Sequence, residues 1–415
     1  MNSTKQKIVI LGGGFAGVYS ALSILKHAGD EVEITIINRT NYFLFTPMLH
    51  EVATGGLGHH QVVESIREII YKTPIQFLEA SVFSVDLEKK EIVTDHGNKM
   101  YDKLVIAIGA STNFFNTPGA EKYTKVLKNL SDAIEVRDHI IERFESASRE
   151  MNLEERKKML TFVIVGGGAT GVEFAAELAE FSKHTLHKYY RRECPNTTAN
   201  IILVHSGKEL LGPFSPETRE RAKKSLEKKG ITLMLDTKVT DVEEDYITLG
   251  NEEKIDTKAV IWTAGVRPNS VHTNGGELPK DSSGRIMTNT DLSVTGFPDV
   301  YALGDVAHVP DVDGKPYPML AQIAVAQAKH LGKNISYSLA GEKLVPFEYS
   351  TKGSLVSLGQ WEAAGTIGGV NLYGKFAWFI WRTVYLFKFI SWSKKIKIAV
   401  DWTIHLFTSR DTTRT

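Results

Sequence analysis

Short apolar runs recur along the chain, each ending in small residues. KIVIL at 7–11 and TFVIV at 161–165 lead into glycine clusters. DKLVIAIGAS at 102–111 and TKAVIWTAGVRPN at 257–269 close on small-residue turns. A brief apolar run bounded by turn signals reads as a strand buried on both faces. Beyond each glycine cluster the pattern turns helical, VYSALSILKHA at 18–28 and VEFAAELAEFSKH at 172–184. Further strands follow, EVEITIIN at 31–38 and one within ANIILVHSGKELL at 199–211. Strand, helix, strand, written twice, predicts an α/β fold with two Rossmann-like units. A charged helical stretch at 130–158 enters the second.

The glycines repeat the same spacing: Gly12, Gly14, Gly17, then Gly166, Gly168, Gly171. The first permits a tight turn, the second lets a pyrophosphate approach the backbone, and the third packs helix on strand. The helix start then offers free N–H groups and a positive dipole end. Gly13, Phe15 and Ala16 belong to the first turn, Ala169 and Thr170 to the second. DVYALGDVAH at 299–308 is another strand with a turn at Gly304-Asp305, where the carboxylate could accept from a ribityl hydroxyl. Gly109 and Ala264-Gly265 end the 102–111 and 257–269 strands in similar turns. Two dinucleotides are expected: FAD held on the first unit, and a nicotinamide dinucleotide that exchanges on the second.

An acid normally follows each loop by about 20 residues to hold a ribose. Here Asn38 and Arg39 stand at the first position, and His205 and Ser206, with Lys208 close by, at the second. Asn38 can still bond a ribose hydroxyl. The second departure removes the group that would repel a 2′-phosphate, so NADPH stays open beside NADH. Lys208 also reads simply as an exposed lysine.

Lys+Arg and Asp+Glu number 49 each, so no basic field points to nucleic acid. One cysteine, Cys194, excludes an intrachain redox disulfide and an iron–sulfur site. No metal site is expected. MNSTKQK carries no leader signal, and no apolar run reaches the 18 or so residues of a spanning helix, so a cytosolic-side protein is expected. Residues 373–407 hold four of the six tryptophans, interrupted by Lys and Arg with Asp401 the only acid. That mixture suits a headgroup region, as it suits a dimer interface or a helix pair covering a core.

These residues resemble the type II NADH dehydrogenases, single-subunit NADH:quinone oxidoreductases among the two-dinucleotide flavoproteins. RTNYFLFTPMLHEVATG at 39–55, GGGATGVEFAAEL at 166–178, YALGDVA at 301–307 and PMLAQIAVAQA at 318–328 carry the resemblance. It implies a glutathione-reductase-like fold with C-terminal amphipathic membrane-binding helices. The implied boundaries are 1–115 and 275–340 for FAD, 116–274 for NAD(P)H, and 341–415 for the membrane region. It implies non-pumping transfer of two electrons from NADH through FAD to a membrane quinone. A peripheral homodimer on the cytoplasmic face is expected, its bilayer surface at 373–407. Thr46 and Pro47 would border the flavin, with Val82, Ala321 and Gln322 also on the FAD side. Glu173 and Gln322 would be the working side chains, Glu173 orienting nicotinamide or relaying protons. A helix-start glutamate favoured by the dipole is the plainer reading of Glu173. The quinone motif departs from the family pattern: Ala326 stands where a second Gln is usual, and Gln327 follows one residue later. Two alternatives remain: an NADPH-preferring quinone reductase, and a flavin- and NADH-binding protein of low turnover.

Overall fold

The computed structural model describes residues 5–193, 198–351, 353–404 and 408–414. Cys194 lies outside them. The chain forms two compact units, each assembled from separated segments. The first comprises 1–43, 64–111 and 266–350, the second 44–63, 112–265 and 351–415. The junctions fall at 111/112, 265/266 and 350/351, up to ten residues from the expected 115/116, 274/275 and 340/341, and two larger differences stand beside them. Residues 44–63 join the second unit, and the C-terminal region does so too rather than standing by itself.

The first unit is built on a six-stranded sheet in the order Ser293–Val294, Phe297–Ala302, Lys103–Ile106, Gln6–Leu11, Val32–Asn38, Gln76–Glu79. All pairings are parallel except the Ser293 edge. Ile8, Ile10 and Leu104 to Ile106 are buried, as strands covered on both faces require. Helix Phe15–Ala28 packs on helix Ala321–Leu339. Ser23 Oγ donates to the Lys329 carbonyl at 3.0 Å, and a Cβ on Gly332 would lie 2.2 Å from that Oγ. Gly332 thus lets the two backbones approach. Val82 begins a strand of a separate four-stranded sheet.

The second unit repeats the plan on five strands, Lys125–Val126, Ala259–Trp262, Thr161–Val165, Asn200–Val204, Thr232–Met234, all parallel. Val163, Val165, Val204 and Trp262 of this sheet pack against Val239, Val242 and Ile247 of a small antiparallel sheet. Helix Ala169–Glu180 follows the glycine loop and continues through a π-helical turn, Phe181–Leu186. Toward the C-terminus, three antiparallel strands lead into helices Gly374–Lys388 and Trp392–Ile404. Among the described residues no helix is long and apolar enough to cross a membrane.

The two C-terminal helices have distinct faces. Trp378, Trp381, Ile398 and Trp402 are buried within the unit. Phe376, Phe379 and Phe387 point outward, as do Trp392, Ile396, Val400 and Ile404 at four-residue intervals. Three of the four tryptophans read as boundary rings are therefore core residues. The outward apolar stripe is made mainly of Phe, Ile and Val.

Candidate functional site

Each glycine in the two loops has its own physical reason. Gly12 and Gly166 have φ of +112° and +121°, and their N–H groups donate to Ile37 and Val204 carbonyls, both at 2.8 Å. A Cβ on Gly17 or Gly171 would lie 1.9 Å from the carbonyl oxygen of Gly12 or Gly166. Gly14 and Gly168 differ: both are exposed helix N-caps with ordinary extended backbone and no side-chain cap. A Cβ at either would meet no protein atom within 4 Å. Nothing in the fold demands glycine there, whereas a pyrophosphate against the helix start does. Both loops fit dinucleotides.

The first loop is braced by Asn38. Its Oδ1 accepts from Gly13 N at 2.9 Å, and its Nδ2 donates to the Thr40 carbonyl at 2.8 Å. The amide that the sequence points toward a ribose also holds the loop. Arg39 beside it is exposed. On the second loop His205 takes the matching place, its ring so close that a Cβ on Gly167 would lie 2.7 Å away. Ser206 and Lys208 are exposed beyond the strand end. Ala264 and Gly265 close a turn in which Ala264 O accepts from Trp262 Nε1 at 3.1 Å.

In the first unit Gly109 and Gly304 adopt the left-handed turns that their strands anticipate, with φ of +68° and +74°. Asp305 is half-buried on the turn after Gly304. Gln327 explains its displaced position: it is buried, and its Oε1 accepts from Gly304 N at 2.8 Å. It braces that turn, while Ala321 and Gln322 begin the helix half-buried. The structure groups Gly12 to Gly17, Asn38, Arg39, Val82, Gly109, Gly304, Asp305, Ala321 and Gln322 in the first unit. Thr46 and Pro47, on a short 3₁₀ turn, belong with the nicotinamide set in the second.

Glu173 sits one turn into helix Ala169–Glu180 and is 7% exposed. Its Oε1 accepts from Ser357 N at 3.0 Å, and its Oε2 lies 3.8 Å from His50 Nδ1. Burial pushes its carboxyl up to about 8; the Ser357 N–H opposes this, and the nearby charges of Glu51 and Glu177 reinforce it. Burial also lowers His50 to about 4. At neutral pH the pair is therefore a protonated carboxyl beside a neutral imidazole, not an ion pair.

Sequence reading missed the groups around Glu173. Glu51 is buried and accepts from Trp402 Nε1 at 3.0 Å. Glu177, one turn after Glu173, is buried and bonded to Arg410 Nη2. Burial drives Glu177 upward, but Arg410, His50 and Arg382 more than offset it, so its carboxyl is held below the usual range. Arg382 lies over the Trp378 ring at 4.0 Å and the Trp402 ring at 4.7 Å. Glu173 and Glu177 share a helix face at i, i+4, a signal the sequence does contain. Arg410 is 233 residues from Glu177 and carries no local signal.

Two parallel-sheet units, each with a glycine turn fitted to a diphosphate, define a two-dinucleotide oxidoreductase. The family model for pyridine nucleotide-disulphide oxidoreductases matches residues 6–328, and that for the NDH2 C-terminal domain matches 351–411. Type II NADH:quinone oxidoreductase Ndh of Mycobacterium tuberculosis is 33% identical over 421 residues, covering 98% of this chain and 89% of its own. The structure of NDH2 from Plasmodium falciparum in complex with NADH has a TM-score of 0.89 at 22% identity, covering 99% of this chain and 100% of that one. The sulfide:quinone oxidoreductase of Aquifex aeolicus shares the fold with a TM-score of 0.76 at 18% identity, covering 97% of this chain and 96% of its own. The chain belongs to the pyridine nucleotide-disulphide oxidoreductase family and, within it, to the type II NADH:quinone oxidoreductases. Its single cysteine leaves no intrachain disulfide for the chemistry in the broader family's name.

Proposed function

We propose that this protein oxidises NADH and reduces a membrane quinone to quinol, by two electrons and without pumping protons. The observation that carries the reading is the second glycine loop, whose helix leads within one turn to a buried, protonated carboxyl, Glu173. FAD, when bound, supplies the two-electron redox chemistry between the two substrates. The loop 12–17, with Asn38 bracing it and Asp305 on the neighbouring turn, would hold FAD; the loop 166–171 would hold the NADH diphosphate. On the first unit, Ala321 and Gln322 would border the FAD. The balance is NADH + H⁺ + quinone giving NAD⁺ + quinol. Glu173 holds a proton at neutral pH and is suited to donate it to a reduced quinone oxygen.

The outward stripe Trp392, Ile396, Val400, Ile404, together with Lys395 and Lys397, suits a bilayer surface. We place the enzyme peripherally on the cytoplasmic face, as a homodimer that doubles this contact. NADH is the expected donor. The exposed Lys208, with no acid at the strand end, is what favours NADPH as a second reading.

The test is to purify the membrane-associated protein, record its flavin spectrum, and compare NADH and NADPH oxidation with and without quinone. A flavin spectrum with quinone-stimulated NADH oxidation is expected. Slow oxidation that no quinone accelerates would overturn the reading in favour of a binding protein. A higher kcat/KM for NADPH would move the donor assignment, and Lys208→Glu should then reverse it.

A further inference from the structure

Glu51 lies within the 39–55 motif but has no role in the reaction as described so far, yet it is a buried carboxyl of the second unit's interior. It lines a cavity of about 40 Å³ with Glu177, Trp378, Arg382 and Arg410. A polar cavity of that volume accommodates roughly three or four waters at about 10–15 Å³ each. The groups facing Glu51 come from each element packed on it. They are Glu177 from helix Ala169–Glu180, Arg382 from Gly374–Lys388, Trp402 from Trp392–Ile404, and Arg410 from the tail.

Three buried carboxyls share this interior, and their partners differ. Glu177 is hydrogen-bonded to the guanidinium of Arg410. Glu173 accepts one backbone N–H, and Glu51 one indole N–H. A buried carboxylate needs a bonded cation or several donors, whereas a neutral carboxyl needs neither. Arg382 spends its faces on two indole rings, and its Nε is buried without a partner. Burial accordingly pushes Glu51 up to about 7, against the opposing charge of Arg382. The site thus holds two carboxyls that burial inclines to keep their protons beside one, Glu177, whose guanidinium partner favours the carboxylate. Glu173 senses the charge of Glu51 directly.

We propose that Glu51 is the proton reserve behind Glu173, reloading it after each quinone reduction and being reloaded in turn through the cavity that Glu51 lines with Arg382 and Arg410. This rests on Glu173 as the quinone's proton donor. Each turnover draws one proton from the medium. Glu173 loses its proton to the reduced quinone oxygen and becomes a carboxylate. Glu51 passes its proton to that carboxylate and is left ionised beside Arg382 and Arg410. Glu51 then regains a proton from solvent; no electrons move in these transfers. Glu51 acts through Glu173 and does not touch the substrate.

The test compares Glu51→Gln, Glu51→Asp and Glu173→Gln in the FAD-loaded full-length protein. Glutamine keeps the volume and the acceptor for Trp402 but holds no transferable proton. Glu51→Gln should slow quinone reduction about tenfold and remove the ionisation near pH 7 from its pH profile, with the loss falling on the quinone half-reaction. Glu51→Asp should restore part of the rate and the pH limb. Glu51→Gln with an unchanged pH profile, while Glu173→Gln is slow, overturns the reserve and leaves Glu173 in place. Glu173→Gln with unchanged quinone kinetics overturns the donor reading beneath both. Infrared titration of the unaltered protein keeps the question decidable should Glu51→Gln not fold. Two protonated carboxyl bands titrating near neutrality are expected, one of them absent in Glu173→Gln; a single band overturns the reserve.

Discussion

Gly14 and Gly168 separate binding from folding at the level of one atom. A Cβ at either meets no protein atom within 4 Å, so Gly14→Val and Gly168→Val should fold. Gly14→Val should purify without FAD. Gly168→Val should keep its flavin spectrum, with the KM for NADH raised at least tenfold, since a branched side chain occupies the place of the diphosphate. Loss of flavin from Gly168→Val rather than from Gly14→Val would reverse the loop assignment. Gly17 and Gly171 should behave oppositely: even alanine puts Cβ 1.9 Å from a carbonyl oxygen, so the expected result is poor folding. These positions were legible because glycine spacing encodes backbone geometry locally. Less legible was the second task of Asn38 and Gln327: both satisfy loop N–H groups, a demand visible only once the turns exist.

At the scale of elements, the C-terminal helices were legible as amphipathic, but not for which rings face inward. Aromatic content alone does not distinguish core from boundary, and here it serves both. Removing everything from Tyr373 onward would therefore strip Trp378, Trp381, Trp402 and Arg410 from the interior, and a loss of activity would say nothing about lipid. The informative change is on the outer face. Ile396→Glu with Val400→Glu touches exposed side chains only. It should abolish co-sedimentation with anionic vesicles and reduce turnover of long-tailed quinones, while short-tailed quinones are still reduced. Lys397→Glu should weaken vesicle binding more at low than at high salt, by about 1 kcal/mol for each cation removed. Unchanged sedimentation in both variants would return the stripe to another partner, such as a second copy of the chain.

For the whole molecule, the buried carboxyls tie stability to pH. Glu173 is raised from 4.5 to about 8 in the folded state, so the folded protein binds more protons than the unfolded chain across that window. Stability from this group is complete below pH about 4.5 and is lost as pH rises through about 8. Glu173→Gln, which needs no proton, should therefore melt higher than the natural protein at pH 9. The difference in Tm should close toward pH 5. A difference that does not vary with pH would mean that Glu173 is ionised in the folded state. The fold was legible because its two units are repeats of one local grammar: apolar strand, glycine turn, helix. The interior of the second unit was not, because His50, Glu51, Glu177, Arg382 and Arg410 come from three segments that only the finished topology unites. That assembly sets an order of events during synthesis. Glu177 emerges from the ribosome more than two hundred residues before the guanidinium bonded to it, whereas Glu180 meets Lys229 49 residues later. Until residue 410 arrives, the nascent second unit must keep the Glu177 carboxylate hydrated or protonated. That carboxylate therefore waits on the tail, whereas strands Gln6–Leu11 and Val32–Asn38 pair as near neighbours in the chain.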